Sequence, residues 1–146
     1  MRIVVDLTHC PAYAQCFPPA ELDSALLRFR AERRRATEFS IQPERFHSVF
    51  CADVPDDEAA VLAASQRPAT ETAFDEPLAI EPGWKTLPRW FVVAGADRAI
   101  NPDAERAPAE RIGATVTEIS GGSHAVALFY ADEVTQVIVG ALREIG

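Results

Sequence analysis

Trp90-Phe91-Val92-Val93-Ala94-Gly95-Ala96-Asp97-Arg98-Ala99-Ile100-Asn101-Pro102 decides how this chain is read. Trp90–Ala94 is a continuous apolar run, the pattern of a strand covered on both faces, and Asp97 follows just past its C-terminal end. Asn101-Pro102 is a helix start, with Asn as N-cap and Pro at the first helical position. The spacing predicts a helix to Ile112, kinked or broken in its last turn by Pro108 and ended by Gly113. Thr115–Ile119 reads as the next strand, and Gly121-Gly122-Ser123-His124 as a glycine-rich loop after it. From Asp132 a last helix gathers Val134, Val137, Ile138, Ala141, Leu142 and Ile145 on one face. Strand, helix, strand and helix joined by short loops predict a right-handed parallel α/β unit.

That topology puts chemistry in one place. Neighbouring parallel strands lie about 5 Å apart, so residues just past their carboxyl ends come within hydrogen-bond reach. Asp97 and His124 are the residues so placed, and an Asp that orients a His is the arrangement for general-base work. Each also has a plainer reading: Asp97 as the cap of a turn-rich loop, His124 as a donor to a loop carbonyl or a cap of the last helix. The two glycines before His124 open backbone conformations closed to other residues and let the ring point outward. Ser123 adjoins His124, but adjacent residues rarely bring hydroxyl and imidazole into line, so it reads as a loop hydroxyl.

Upstream the signals are weaker. Ile3–Leu7 reads as a short strand ended by Cys10-Pro11. Pro18-Pro19 opens a helix expected from Ala20 to about Arg35, with a narrow apolar stripe through Leu22, Leu26 and Phe29. Further helices are expected around Pro43–Phe50 and from Asp56-Asp57 through Ala64, the paired acids suiting the positive end of a helix dipole. Residues 67–88, with Pro68, Pro77, Pro82, Gly83 and Pro88, read as a linker.

Composition sets bounds. A chain of 146 residues, 48% apolar and 25% charged, is most simply one globular domain. Its net charge of -8 is uneven: residues 1–40 hold six Arg against five acids (+1), and 41–146 hold eight Lys/Arg against seventeen acids (-9). The acidic body argues against nucleic acid as a partner, and the lone basic cluster, Arg28, Arg30, Arg33, Arg34 and Arg35, reads as solvated helix surface. The absence of a long apolar run predicts neither membrane span nor signal peptide, and three cysteines in such a chain point to reduced thiols in the cytoplasm.

From about Ser40 to Gly146 the chain resembles the cap and C-terminal part of a serine alpha/beta-hydrolase of the small esterase-like kind. The resemblance is carried by Phe46-His47-Ser48-Val49-Phe50, Ala64-Ser65-Gln66-Arg67-Pro68, Trp84-Lys85-Thr86-Leu87-Pro88-Arg89-Trp90, the Ala94-to-Ile100 turn and Gly122-Ser123-His124. It implies that Asp97 orients the histidine and that His124 is the base. The family's Gly-x-Ser-x-Gly nucleophile elbow is missing, and the first glycine of the chain is Gly83. Without a nucleophile and oxyanion donors the pair is at most a weak general base, so the attacking group would come from a partner.

The opening Met1–Cys10, followed by Tyr13-Ala14-Gln15-Cys16, is similar to the start of small single-cluster bacterial ferredoxins. That similarity implies an iron–sulfur site on Cys10, Cys16 and Cys51, although Cys51 precedes Ala52 where the family has proline. His9, Cys10 and Cys16 offer three zinc ligands with no evident fourth. Neither set is strong enough to assign a cofactor or metal.

The fold class expected is α/β: a truncated alpha/beta-hydrolase-like parallel sheet of Trp90–Ala94, Thr115–Ile119 and Ile3–Leu7, with helical cap-like elements. Residues 1–38 form an atypical N-terminal segment, 39–88 a cap-like helical region and linker, and 89–146 the core. So small a sheet leaves an edge open, which predicts self-association or a partner chain there. Three functions compete: an ester or acyl hydrolase, a non-catalytic interaction module, and an iron–sulfur electron carrier.

Overall fold

The computed structural model describes residues 26–31, 36–70, 72–75 and 77–146. Strand β1 (Leu26–Ala31) pairs antiparallel with β2 (Ala36–Ile41), from Leu26 opposite Ile41 to Ala31 opposite Ala36. A two-residue strand β3 (Ala69–Thr70) adds to the other side of β2, with Glu38 opposite Thr70. The helix expected over Ala20–Arg35 is therefore corrected over its described part. Leu27-Arg28-Phe29-Arg30-Ala31 alternates with period two, and β2 supplies the ladder that this alternation needs. Ile3–Leu7 lies outside the described residues, as do His9, Cys10 and Cys16.

Helix α1 (Pro43–Phe50) starts with proline in its first turn and buries Phe46 and Val49. Helix α2 (Asp56–Ser65) opens with Asp56, Asp57 and Glu58 in its first turn, where the dipole favours carboxylates, and buries Ala59. Past its end, the Gln66 amide serves as a strand substitute. Its Oε1 accepts from Ile41 N at 2.9 Å and its Nε2 donates to the Ile41 carbonyl at 2.9 Å, fixing α2 to β2. The stretch read as a linker also holds β3, a short helix α3 (Thr72–Asp75) and a 3-10 turn (Gly83–Lys85).

The second sheet is the parallel pair expected. Strand β4 (Trp90–Ala94) and β5 (Thr115–Ile119) run in register from Trp90 opposite Thr115 to Ala94 opposite Ile119. Between them α4 (Pro102–Arg111) is capped by the Asn101 side chain, which accepts from Asp103 N at 2.9 Å. The break expected at Pro108 does not occur. Pro108 falls within the last turn, and the helix runs on to Arg111. Gly113, at φ 63°, closes it: Gly113 N donates to the Glu110 carbonyl and Ala114 N to that of Ala109, a Schellman pattern. Arg106 joins Asp103 on its own helix to Glu118 of β5.

After β5 come α5 (Val126–Phe129) and α6 (Ala131–Ile145). Burial along β4 is confined to Val93 and Ala94, while Trp90, Phe91 and Val92 are only half-buried, so full cover of both faces is not reached among the described residues. The apolar face of α6 leaves Ile138, Leu142 and Ile145 more than half exposed. A core cluster of the described residues lies elsewhere. Ile41, Phe46, Val49, Cys51, Val54 and Ala59 pack with Ala99 and Ala125, so the helical region shares its core with the loops after β4 and β5. No helix among the described residues is long and apolar enough to cross a membrane.

Candidate acid–base site

Both loops leave the sheet side by side because β4 and β5 are parallel and in register. They are laced to each other by backbone: Gly95 N donates to the Ile119 carbonyl at 2.9 Å, and Ala96 N to that of Gly122 at 3.0 Å. Gly95 permits this approach, since a Cβ there would lie 2.7 Å from Ser120 Cα. Gly122 is crowded from its own loop, where a Cβ would lie 2.7 Å from the Val126 side chain. Gly113 has the positive φ among the described glycines, so Gly121 and Gly122 serve close packing and not the unusual backbone conformation expected of them.

The structure brings Asp97 and His124 together. His124 Nδ1 lies 2.8 Å from Asp97 Oδ2. Asp97 is 5% exposed, and its other oxygen, Oδ1, accepts from Ala99 N at 2.7 Å and Ile100 N at 3.0 Å. One oxygen of Asp97 thus caps its turn and the other contacts the imidazole. With Nδ1–H donating to the carboxylate, Nε2 carries the lone pair that can take a proton. Burial works against the imidazolium, but the Asp97 hydrogen bond, the Asp97 charge and the Glu105 charge together lift His124 above the ordinary histidine value of 6.5.

Ser123 is buried, and its Oγ accepts from Ala125 N at 3.2 Å; it is a turn hydroxyl, as its plainer reading had it. Cys51 is fully buried within the apolar cluster, and burial followed by the Asp53 charge pushes its thiol up, away from a thiolate ligand. Among the described residues no group of three His, Cys, Asp or Glu side chains could hold a metal ion.

Two features went unseen in the sequence. Glu105, on α4, accepts from Ala94 N at 3.1 Å with a half-buried carboxylate behind the acid turn. Burial pushes it up to about 7, with the Asp97 charge adding to the shift and the Ala94 bond, His124 and Arg106 opposing it. The other is the link from the α1–α2 connection to the histidine loop. The Phe50 and His124 rings meet tilted at 57° with centroids 4.7 Å apart, and the Phe50 carbonyl accepts from Ala125 N. Glu105 sits among ordinary first-turn acids and Phe50 lies far from His124 in the chain, so local pattern signalled neither.

A family model described as the alpha/beta hydrolase family matches residues 2–137, which includes the segment with the ferredoxin-like opening. No curated protein matches. Among solved structures, polyneuridine aldehyde esterase aligns with a TM-score of 0.69 at 14% identity, over 89% of this chain and 53% of that one. A mutant of the same esterase aligns at 0.70 and 12% identity with the same coverage. The chain spans about half the length of these structures, and at such identities the likeness is one of fold.

Proposed function

The chain belongs to the alpha/beta hydrolase family, and on that premise we propose that it supplies the acid and base of an ester-hydrolysing site. The reading rests on the 2.8 Å contact between His124 Nδ1 and buried Asp97, at the carboxyl edge of a parallel strand pair. Asp97 holds the imidazole with Nδ1 protonated. Nε2 takes the proton of a hydroxyl as it attacks the ester carbonyl and returns it to the departing alcohol. Water, deprotonated by the same Nε2, then attacks the acyl ester so formed, and the proton goes back to the hydroxyl as the acid leaves. The protonated ring is stabilised between these steps by the adjacent carboxylate. The hydroxyl comes from a partner chain at the edge of β4 that no strand among the described residues covers; without it, water is the nucleophile and His124 a weak general base.

Turnover of short-chain nitrophenyl esters, with His124→Ala as control, tests the reading. Turnover lost in H124A supports it, and equal rates in both proteins, from folded samples, refute it. A second reading, an interaction module, is favoured by the exposed apolar residues Val116, Ile138, Leu142 and Ile145. Under it, Asp97 and His124 only tie two loops together.

A further inference from the structure

The peptide N–H groups on the two sides of His124 end on the last residue of α1 and on the connection that follows it. Ser123 N donates to Asp53 Oδ2 at 3.1 Å, and Ala125 N donates to the Phe50 carbonyl at 3.1 Å. The Phe50 ring contacts the imidazole at a tilt of 57°, while Asp97 holds its Nδ1. The connection is itself braced from within. Cys51 N donates to the His47 carbonyl and Val54 N to that of Cys51, each at 3.1 Å. His47 Nε2 donates to the Val54 carbonyl at 2.8 Å, and its Nδ1 lies 3.0 Å from Asp56 Oδ1. Cys51 and Val54 are buried on either side of Asp53, so its backbone is anchored although its side chain is exposed.

From this anchored backbone the Asp53 carboxylate meets the N–H of a buried residue, since Ser123 is 2% exposed. Losing it would orphan that N–H just before His124, and the strain would fall on the ring's contact with Asp97. From this we infer that Asp53 is a positioning residue for His124, acting through the Ser123 N–H to hold the imidazole in register with Asp97. Asp53 touches no reacting atom; it fixes where the base stands. The inference rests on the reading of His124 as the base of ester hydrolysis, and it makes the helical region part of that base's support.

The test compares wild type, Asp53→Ala and Asp53→Asn by NMR of the His124 Nδ1–H, alongside thermal melts and nitrophenyl ester kinetics. D53A is expected to speed exchange of that proton with water about tenfold and to lower kcat by a similar factor, with KM within about twofold. D53N, whose amide oxygen can still accept from Ser123 N, is expected to restore both. Wild-type exchange in D53A overturns the inference, and so does D53N as impaired as D53A. Should D53A not fold, the wild type alone decides. A Ser123 amide much less protected from hydrogen exchange than that of Ala125 overturns the inference, and comparable protection supports it. If no protein turns over ester while Nδ1–H exchange follows the expected pattern, the hydrolase reading fails and the positioning role stands.

Discussion

Asp97 contacts His124 with one carboxylate oxygen and closes its own turn with the other, so a single buried side chain fixes both the ring and the loop that carries it. That double use ties geometry to stability, because the groups that orient the base also hold the carboxyl edge of β4 in shape. It also separates what an amide and a methyl would do at this position.

Asp97→Asn is expected to fold normally, since the amide oxygen can accept from Ala99 and Ile100 as Oδ1 does now. Its NH2 would then face Nδ1 and drive the proton to Nε2, leaving no lone pair to act as base. Ester turnover should fall by about a thousandfold or more with little change in denaturation midpoint. Asp97→Ala loses the turn bonds as well and should cost about 1–3 kcal/mol in unfolding free energy. Equal activity of D97N and wild type would leave Asp97 as a turn cap alone.

Stability and activity should respond to pH in opposite directions at His124. Its value in the fold is raised above 6.5, so its contribution to stability is fully present below about pH 6.5 and is lost as pH rises through the raised value. On the proposed role of His124 the neutral ring is the working form, so turnover should climb over the same range. Unfolding free energies of wild type and His124→Gln, measured from pH 5 to 9, should converge as pH rises. Convergence on acidification would mean that Asp97 does not sustain the imidazolium.

Glu105 gives a second and separable pH effect. Its folded value near 7 lies above its ordinary 4.5, so the fold binds the proton more tightly than the open chain, and stability declines between these limits as pH rises. Glu105→Gln keeps an acceptor for Ala94 N and removes the buried charge. It should match wild type near pH 4 and exceed it at pH 8 by on the order of 1 kcal/mol, discounted for partial exposure. It should also move the rising, acidic limb of turnover to lower pH, because the Glu105 charge supports the protonated His124. Melts at the two pH values and one pH–rate profile check both effects.

The C-terminal part of this fold was legible because each boundary carries its own chemistry. Trp90–Ala94 is apolar and β-forming, Asn101-Pro102 caps and starts α4, and Gly113 takes the positive φ that ends it. Once two strands are parallel, the side-by-side placing of Asp97 and His124 follows. The strand pair β1–β2 was missed because Leu22, Leu26 and Phe29 also satisfy a helical spacing, and only the partner strand decides between the two periods. Asp53 and Phe50 could not be found this way: their bonds to Ser123 and Ala125 join residues with no local pattern in common. Glu105 looked like any acid near a helix start until burial beside Ala94 set it apart.

Gly95 and Gly140 should answer the same substitution with opposite signs. A methyl at Gly95 would sit 2.7 Å from Ser120 Cα and 3.0 Å from the Ser120 carbonyl oxygen, both backbone atoms that cannot rotate away. Gly95→Ala must therefore push the end of β4 from the end of β5, at a cost of about 1–3 kcal/mol. The same displacement stretches the Ala96–Gly122 bond and separates Asp97 from His124, so ester turnover should fall along with stability. Gly140 lies inside α6, where an added methyl would meet no atom within 4 Å, and Gly140→Ala should stabilise by about 0.5–1 kcal/mol through helix propensity alone. Chemical denaturation of the two variants distinguishes close approach from conformational freedom as the reason for glycine. A harmless Gly95→Ala would mean that the two loops are not laced as described, and the support for the acid–base pair would go with them.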